Sequence, residues 1–368
     1  MSELLNRFHD IATSPKAQLE KYLAEGRKVV GVAPVYTPQE IIHSMGFVPM
    51  GVWGADTEIN ESKKYFPAFI CAIMQTVLEL GIKGSYKGMS ALVIPSLCDS
   101  LKTLGQNWKF AVKDIPFIPM TYPQNRKPDF GIKFTKASYK RVIDDLEKYT
   151  GASFDDAKLA ESIKIYNEHN AVMREFEETA SKAKLTACER SDVFKSAWFM
   201  LPEEHTAMVK ELIAELKAGP QDDSNARVLV SGVLADAPAL LEIFDRNGIK
   251  IAWDDVAAES RQYYTDTPAG DTALDALAVK FANMDNCSVL YDRDKKRVSF
   301  LVENAKKHDA KGVIVLMTKF CDPEEFDFVP IKKACEAEGL PVLNIEVDRQ
   351  MTGYEQAATM IQAFVEML

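Results

Sequence analysis

The sequence has no apolar run long enough to cross a bilayer, and its N-terminus lacks the apolar core of a signal peptide. A membrane-spanning helix needs about 18 to 20 such residues, so we expect a cytoplasmic protein without a membrane segment. The chain also lacks a long Lys/Arg cluster, and 44 basic against 54 acidic residues give a net charge of −10. This charge balance predicts no binding to nucleic acids or anionic membranes.

Nucleotide-binding and common metal motifs are missing as well. No strand-like run is followed by G-x-G-x-x-G or G-x4-G-K-S/T, so dinucleotide and P-loop ATP binding have no motif here. The five histidines show no H-E-x-x-H or paired-ligand spacing. Six cysteines in a cytoplasmic chain of 368 residues argue against a disulfide framework. Reduced thiols are therefore expected, and metal binding by them stays open.

Short β-branched runs alternate with helical patterns in two separate parts of the chain. This alternation predicts an α/β protein with two Rossmann- or flavodoxin-like parallel-sheet lobes around a helical middle segment. The expected divisions are N-terminal helices at 1–26, a first lobe at 27–133, helices at 134–217, a polar linker at 218–226 and a second lobe at 227–368. With 47% hydrophobic residues the chain can fill two ordinary cores.

Two stretches share one order: an apolar strand, a cysteine followed by aspartate, then a helical pattern. They are ALVIPSLCDS, with Cys98, and GVIVLMTKFCDPEE, with Cys321. Because parallel sheets bind ligands beyond the carboxyl ends of their strands, both cysteines are expected at a cleft between the lobes. Cys71 is expected about one turn into a helix that begins near Pro67. At these helix N-termini the dipole should lower the thiol pKa and favour the thiolate.

From the pattern alone, these three cysteines allow two interpretations. They could hold a metal or an iron–sulfur cluster that has one ligand other than cysteine. They could instead be small core residues, because the gaps of 27 and 223 residues match no C-x2-C motif. The remaining three, Cys188, Cys287 and Cys335, lack the strand-end placement and are predicted to be structural.

A charged and aromatic segment, ESRQYYTDTPAGD from Glu259 to Asp271, follows a predicted strand. It is either a solvated loop or part of the cleft, since loops at strand ends often carry functional residues. In the second interpretation Glu259 or Arg261 faces the cleft and is a candidate catalytic residue.

Taken together and in order, the motifs YFPAFICAIMQ, PSLCDSLKTLGQNWK, YPQNR, ESRQ and KFCDPEEFD resemble the β-subunits of 2-hydroxyacyl-CoA dehydratases. The similarity runs over nearly the whole chain. It implies an oxygen-sensitive hydro-lyase subunit of amino-acid-fermenting anaerobes, in which Cys71, Cys98 and Cys321 hold a [4Fe–4S] cluster with one iron free of cysteine. Tyr122 stands where the family more often has histidine, and Thr318 where it has methionine. These two differences bear on fine substrate contacts and touch no cluster ligand.

The resemblance also implies a reaction and two protein partners. Enzymes of this family convert an (R)-2-hydroxyacyl-CoA into a 2-enoyl-CoA. One electron added to the thioester carbonyl gives a ketyl radical, which expels hydroxide. The radical that results makes the β-proton acidic, and the electron is returned for the next turnover. The partners are a homologous α-subunit, whose cluster meets the substrate, and an ATP-dependent activator iron–sulfur protein. This chain would be the β-subunit, with an auxiliary cluster and one wall of the active cleft. The alternatives are a stand-alone double-cubane reductase of the same superfamily and a non-catalytic scaffold subunit with a structural cluster.

Single Cys→Ala variants test the ligand set that the resemblance implies. Replacing Cys71, Cys98 or Cys321 should leave a second iron without cysteine, so the cluster should become labile or fail to assemble. Each of the other three replacements should cost on the order of 1 kcal/mol of packing and leave the iron in place. The measurement is iron and acid-labile sulfide per chain in the six variants, purified without air. A full cluster in Cys321→Ala would contradict the ligand set.

Overall fold

The computed structural model describes residues 2–368, and within them the chain forms eight strands and fourteen α-helices. The strands are β1 (Lys28–Val32), β2 (Phe47–Gly51), β3 (Ala91–Pro95), β4 (Phe117–Met120), β5 (Ala226–Gly232), β6 (Ile249–Val256), β7 (Gly312–Thr318) and β8 (Val342–Val347). The helices are α1 (Glu3–Thr13), α2 (Pro15–Ala24), α3 (Gln39–Ser44), α4 (Ala72–Ile82), α5 (Asp99–Ala111), α6 (Asp129–Thr150), α7 (Asp156–Ala180), α8 (Ala187–Ser196), α9 (Pro202–Ala218), α10 (Pro238–Arg246), α11 (Ala273–Asn283), α12 (Lys296–Lys307), α13 (Asp322–Ala337) and α14 (Glu355–Val365). In this described range, no helix combines the length and apolar character that a bilayer crossing requires.

The strands form two four-stranded sheets with the same internal order. One sheet runs β2-β1-β3-β4 and the other β6-β5-β7-β8, and every strand pair is parallel. All residues of β2, β3, β6 and β7 are buried, which is typical of parallel sheets covered by helices on both faces. The predicted α/β architecture with two parallel-sheet lobes is confirmed.

Long helices fill the middle of the chain. They begin with α6 at Asp129, slightly before the expected start at 134, because Pro128 holds an extended backbone at the N-cap position and the helix follows directly. α7 packs against α9 and α3. Residues 219–225 connect α9 to β5, where the sequence predicts a polar linker. The proposed domain boundaries stay a prediction.

Helix α11 comes from the second half of the chain but packs on the first. It contacts α6 and α7, and its Leu277 and Phe281 share a hydrophobic cluster with Val30 and Ile143. The Phe281 ring stacks on Tyr122 with a centroid distance of 3.8 Å. The two halves therefore share a core, and Tyr122 contributes an aromatic contact to it.

Candidate functional site

Three cysteines stand at the starts of three helices. Cys71, Cys98 and Cys321 are the N-cap residues of α4, α5 and α13, with ψ angles of 138°, 168° and 79°. Because these backbones are not helical, each side chain lies just ahead of the first turn. The prediction that Cys71 lies one turn inside a helix from Pro67 is wrong, since the extended backbone at Cys71 delays the helix until Ala72.

Cys98 and Cys321 occupy equivalent positions in the two sheets. β3 ends at Pro95 and β7 at Thr318, and in both cases two residues separate the strand from the cysteine. β3 lies beside β1 and β7 beside β5, and between these strands the chain changes direction across the sheet. At such a switch point neighbouring loops diverge and open a crevice. Both cysteines therefore lie where α/β proteins commonly bind ligands.

The structure brings all three cysteines to the wall of one cavity, which has a volume of about 70 Å³. Both halves of the chain supply its apolar wall: Pro34, Val35, Trp53, Ile73, Met74, Leu101, Val233, Ala257 and Val289. Its other members are Arg261, Cys287, Ser288, Thr318 and Glu324. We call this space the cysteine cavity.

The arrangement differs from a site for a single metal ion. Within residues 2–368, no three His, Cys, Asp or Glu side chains meet as the ligands of one ion must. Sulfurs around one zinc ion lie only about 4 Å apart, whereas in a [4Fe–4S] cluster each thiolate binds a different iron and the ligands surround a larger space. An iron–sulfur site at the cleft stays a prediction, but these sulfur donors suit a cluster better than a single ion.

Thr318 adds a polar group to the cysteine cavity. Its side chain is 4% exposed, and its hydroxyl finds no hydrogen-bond partner among the described residues. A buried hydroxyl left in this state costs about 1–3 kcal/mol. The residue therefore fits a cavity whose occupant accepts a hydrogen bond, as the sulfur atoms of a cluster do.

Burial raises the pKa of all three thiols. Loss of hydration is the largest cause in each case, and the pKa of Cys98 reaches about 11. The backbone N–H three residues after each cysteine lowers the pKa by a smaller amount. Charge on Cys71 and Cys98 adds to the rise of the Cys321 pKa, so the three sulfurs interact. The expectation that helix N-termini favour free thiolates here is wrong, because desolvation outweighs them; metal binding would instead release protons.

Arg261 lines the cysteine cavity as part of a buried network. Its guanidinium donates to Glu324 Oε1 and to Asp255 Oδ2, both at 3.0 Å, and Arg297 donates to Glu324 Oε2 at 2.9 Å. Burial alone would raise the pKa of Glu324, but the charges of Arg297 and Arg261 lower it to about 2. Since Glu324 is the third residue of α13, this network fixes the helix that Cys321 caps.

Glu259 lies elsewhere. It is 2% exposed and pairs with Arg190, which also binds Asp254. Neighbouring residues of a strand point to opposite faces, so Asp254 of β6 turns towards Arg190 while Asp255 turns towards Arg261. Of the two candidate cleft residues, Arg261 lines the cysteine cavity and Glu259 does not. A catalytic role for either stays a prediction.

The burial of Glu259 should make stability depend on pH. Burial raises the pKa of Glu259 to about 7, although Arg190 lowers it. A carboxyl with a raised pKa binds its proton more tightly when folded, so its stabilising contribution is present below the ordinary pKa and is lost as pH rises through about 7. The free energy of unfolding of the native protein, minus that of Glu259→Gln, should therefore fall between about pH 5 and pH 8.

Urea unfolding at several pH values measures this difference. Glu161→Gln is the matched control, because Glu161 is 70% exposed and pairs with a neighbour on its own helix; its difference from the native protein should stay flat. A difference for Glu259→Gln that rises with pH would contradict the raised pKa.

A second cavity of about 100 Å³ lies next to the first. Three residues line both: Pro34, Val35 and Trp53. The wall of the second cavity is more polar and contains Tyr122, His169 and the ion pair of Glu40 with Lys280, 2.6 Å apart. Burial lowers the pKa of His169 well below its ordinary value, so this imidazole is neutral near pH 7. The three shared apolar residues thus separate the cysteine cavity from a more polar second cavity.

The site predicted by sequence lacks several members of the cysteine cavity, among them Thr318 and Cys287. Thr318 is the last residue of β7, and its strand-end position is a signal that could have placed it at the crevice. Cys287 lies in the segment between α11 and α12. Its position becomes clear only once α11 is seen to pack on the first half of the chain, which brings the following residues back to the cavity.

Comparison with known proteins gives matches over the whole chain. A family model described as 2-hydroxyglutaryl-CoA dehydratase, D-component, matches residues 34–368. The (R)-phenyllactyl-CoA dehydratase beta subunit of Clostridium sporogenes is 47% identical over 370 residues, covering 100% of this chain and 99% of the relative. The lactoyl-CoA dehydratase subunit beta of Anaerotignum propionicum is 41% identical, covering 99% of this chain and 98% of the relative. The (R)-2-hydroxyglutaryl-CoA dehydratase subunit beta of Acidaminococcus fermentans is 37% identical, covering 100% of both.

Proposed function

Because the chain belongs to the 2-hydroxyglutaryl-CoA dehydratase D-component family, we propose that it is the β-subunit of an (R)-2-hydroxyacyl-CoA dehydratase. In this proposal the β-subunit carries a [4Fe–4S] cluster on Cys71, Cys98 and Cys321. The reaction is removal of water to give a 2-enoyl-CoA, performed together with a homologous α-subunit and an ATP-dependent activator. The relatives are named for aromatic, short-chain and acidic acyl groups. The proposed substrate class is therefore a 2-hydroxyacyl-CoA, and the proposal does not specify its side chain.

One observation carries the proposed cofactor: three cysteines, each the N-cap of a different helix, line a single cavity. Soft thiolates are the ligands that iron–sulfur clusters prefer. The helix N-termini supply N–H groups and positive dipole ends, which favour the negative charge of a thiolate-bound cluster. The mostly apolar wall keeps water away from such a group.

The protein's own residues have separable tasks around this site. A bound cluster of this kind supplies one-electron transfer. The Thr318 hydroxyl can donate a hydrogen bond into the cavity, and hydrogen bonds to sulfur tune the potential of such groups. Arg261 and Arg297 hold Glu324 and thereby the start of α13. The chain thus orients ligands, excludes water and fixes the electrostatic surroundings.

Exposed aromatic side chains near the cysteine cavity favour this surface as the docking face for the α-subunit. Phe69 is 69% exposed and lies two residues before Cys71; Phe326 is 78% exposed and lies in the helix capped by Cys321. Phe320, directly before Cys321, is exposed too and has a left-handed backbone with φ of 62°. Large exposed aromatics are typical anchors of protein interfaces.

Replacing these anchors should weaken the heterodimer. Phe69→Ser and Phe326→Ser each remove a large apolar contact, and we expect the dissociation constant for the α-subunit to rise about tenfold or more. Titration calorimetry under anoxic conditions measures it, with iron per chain checked to be unchanged. Phe110→Ser is the control, because Phe110 is 73% exposed but lies at the opposite end of α5 from Cys98. If Phe69→Ser and Phe326→Ser bind the α-subunit as tightly as Phe110→Ser does, this result would count against the docking face.

Reconstitution tests the function itself. The chain, co-expressed with its α-subunit and purified without air, should form 2-enoyl-CoA from phenyllactyl-, lactoyl- or 2-hydroxyglutaryl-CoA when activator and ATP are added. Cys98→Ala should abolish or strongly reduce the rate because its cluster is lost, whereas Cys335→Ala, in the core of α13, should keep it.

About four irons in this chain fit a single cubane, and about eight a double cubane. Full activity of the Cys98→Ala pair without its β-cluster favours the scaffold alternative, and full activity without α would overturn the proposal.

A further inference from the structure

Among residues 2–368, two side chains with a permanent charge line the cysteine cavity, Arg261 and Glu324. Each is 3% exposed, and the Arg261 guanidinium donates a hydrogen bond to Glu324 Oε1 at 3.0 Å. Arg297 donates to the other carboxylate oxygen, Oε2, at 2.9 Å. A carboxylate that accepts hydrogen bonds from two guanidinium groups is held ionised. The cavity wall therefore carries one negative and one positive charge.

The positive charge of Arg261 is shared with a second carboxylate. Its Nε donates to Asp255 Oδ1 and its Nη2 to Asp255 Oδ2, both at 3.0 Å. Arg297 pairs with three carboxylates, those of Asp255, Glu324 and Asp327. Two buried arginines thus face three buried carboxylates, and negative charge is in excess. Lys295 also pairs with Asp327, but its side chain is 51% exposed, so water weakens the effect of its charge.

Of the carboxylates in this network, Glu324 is the one that lines the cavity together with Cys321. Its backbone N–H donates to the Cys321 carbonyl oxygen at 3.0 Å, and the Ser288 hydroxyl donates to Glu324 Oε1 at 2.8 Å. These bonds and those of the two arginines hold the carboxylate in place. After burial, the charge of Glu324 is the strongest cause of the raised pKa of the Cys321 thiol. A charge that disfavours the thiolate at this position also disfavours other added negative charge.

We propose that Glu324 is a fixed negative charge that lowers the reduction potential of the cluster held by Cys71, Cys98 and Cys321. This inference rests on the proposed function and assigns a further task within it. Reduction adds one electron to the cluster, and a carboxylate fixed beside a water-poor cavity makes that addition less favourable. The reduced cluster then gives up its electron more readily. Arg261 acts in the opposite direction, because its positive charge lies in the same wall.

The experiment measures the midpoint potential of the cluster in the full chain by anoxic titration with dithionite and redox mediators, followed by EPR. Glu324→Gln keeps the side-chain shape and removes the charge. At a fixed solution potential its ratio of oxidised to reduced cluster should fall about tenfold, which for one electron is a rise in midpoint potential of about 59 mV. Arg261→Gln should shift the potential downward. Glu325→Gln is the control, because Glu325 is the next residue of α13 but is exposed, and its potential should equal that of the native protein.

Opposite shifts separate an electrostatic role from a structural one, because a displaced helix start would not reverse sign with the charge removed. A native protein without iron and sulfide defeats the proposed function and this inference with it. A native protein with about four irons, whose potential is unchanged or lowered in Glu324→Gln, overturns the role of Glu324 and leaves the proposed function standing. If Glu324→Gln binds no iron, Arg261→Gln is compared with the double variant Arg261→Gln/Glu324→Gln. The double variant should have the higher potential, and equal potentials would overturn the inference.

Discussion

Parallel strands must all end at the same edge of their sheet, and the position of the candidate site depends on this constraint. Each crossover returns the chain to the opposite edge, so the residues that follow β3 and β7 emerge beside those that follow β1 and β5. Two sheets with the same strand order, sharing one cavity at these ends, bring Cys98 and Cys321 together across 223 residues of sequence. The cysteines need no short spacing such as C-x2-C because the topology brings them close together.

Buried charges fix the second half of the chain around this edge. Asp254 and Asp255, consecutive residues of β6, bind different arginines on opposite faces: Arg190 on one, Arg261 and Arg297 on the other. Burying so many ions costs desolvation energy, and losing one partner of such a pair costs about 3–5 kcal/mol. Because the desolvation cost offsets much of the attraction, the presence of these ion pairs is not in itself evidence of net stability. The network imposes one arrangement of β6, α12 and α13, and through Glu324 one position for the start of the helix that Cys321 caps.

The sequence predicts much of this arrangement, and its failures have physical causes. Alternation of strands and helices predicts the two parallel sheets, since short β-branched apolar runs such as GVIVLM are typical of buried strands. Cys98 and Cys321 are recognisable because each lies only three positions after the last residue of its strand. Glu259 cannot be assigned in this way: whether it faces a cleft or a buried arginine depends on Arg190, 69 residues away. The desolvation of the thiols cannot be inferred from the sequence either, because it follows from the tertiary packing of both halves.

The crossing of α11 has a consequence for how such chains can evolve. Helix α11 follows the first two strands of the second sheet in the sequence. Its residues Leu274, Leu277 and Phe281 nevertheless belong to the hydrophobic cluster that contains Val30 and Ile143. The lobes are therefore not separate modules. A gene fusion or recombination event within residues 219–225 would join the first-half core of one parent to the α11 of another, and the packing around Tyr122 and Phe281 would be inherited from neither. Exchange between relatives preserves this core only when both sides of the contact come from the same ancestor.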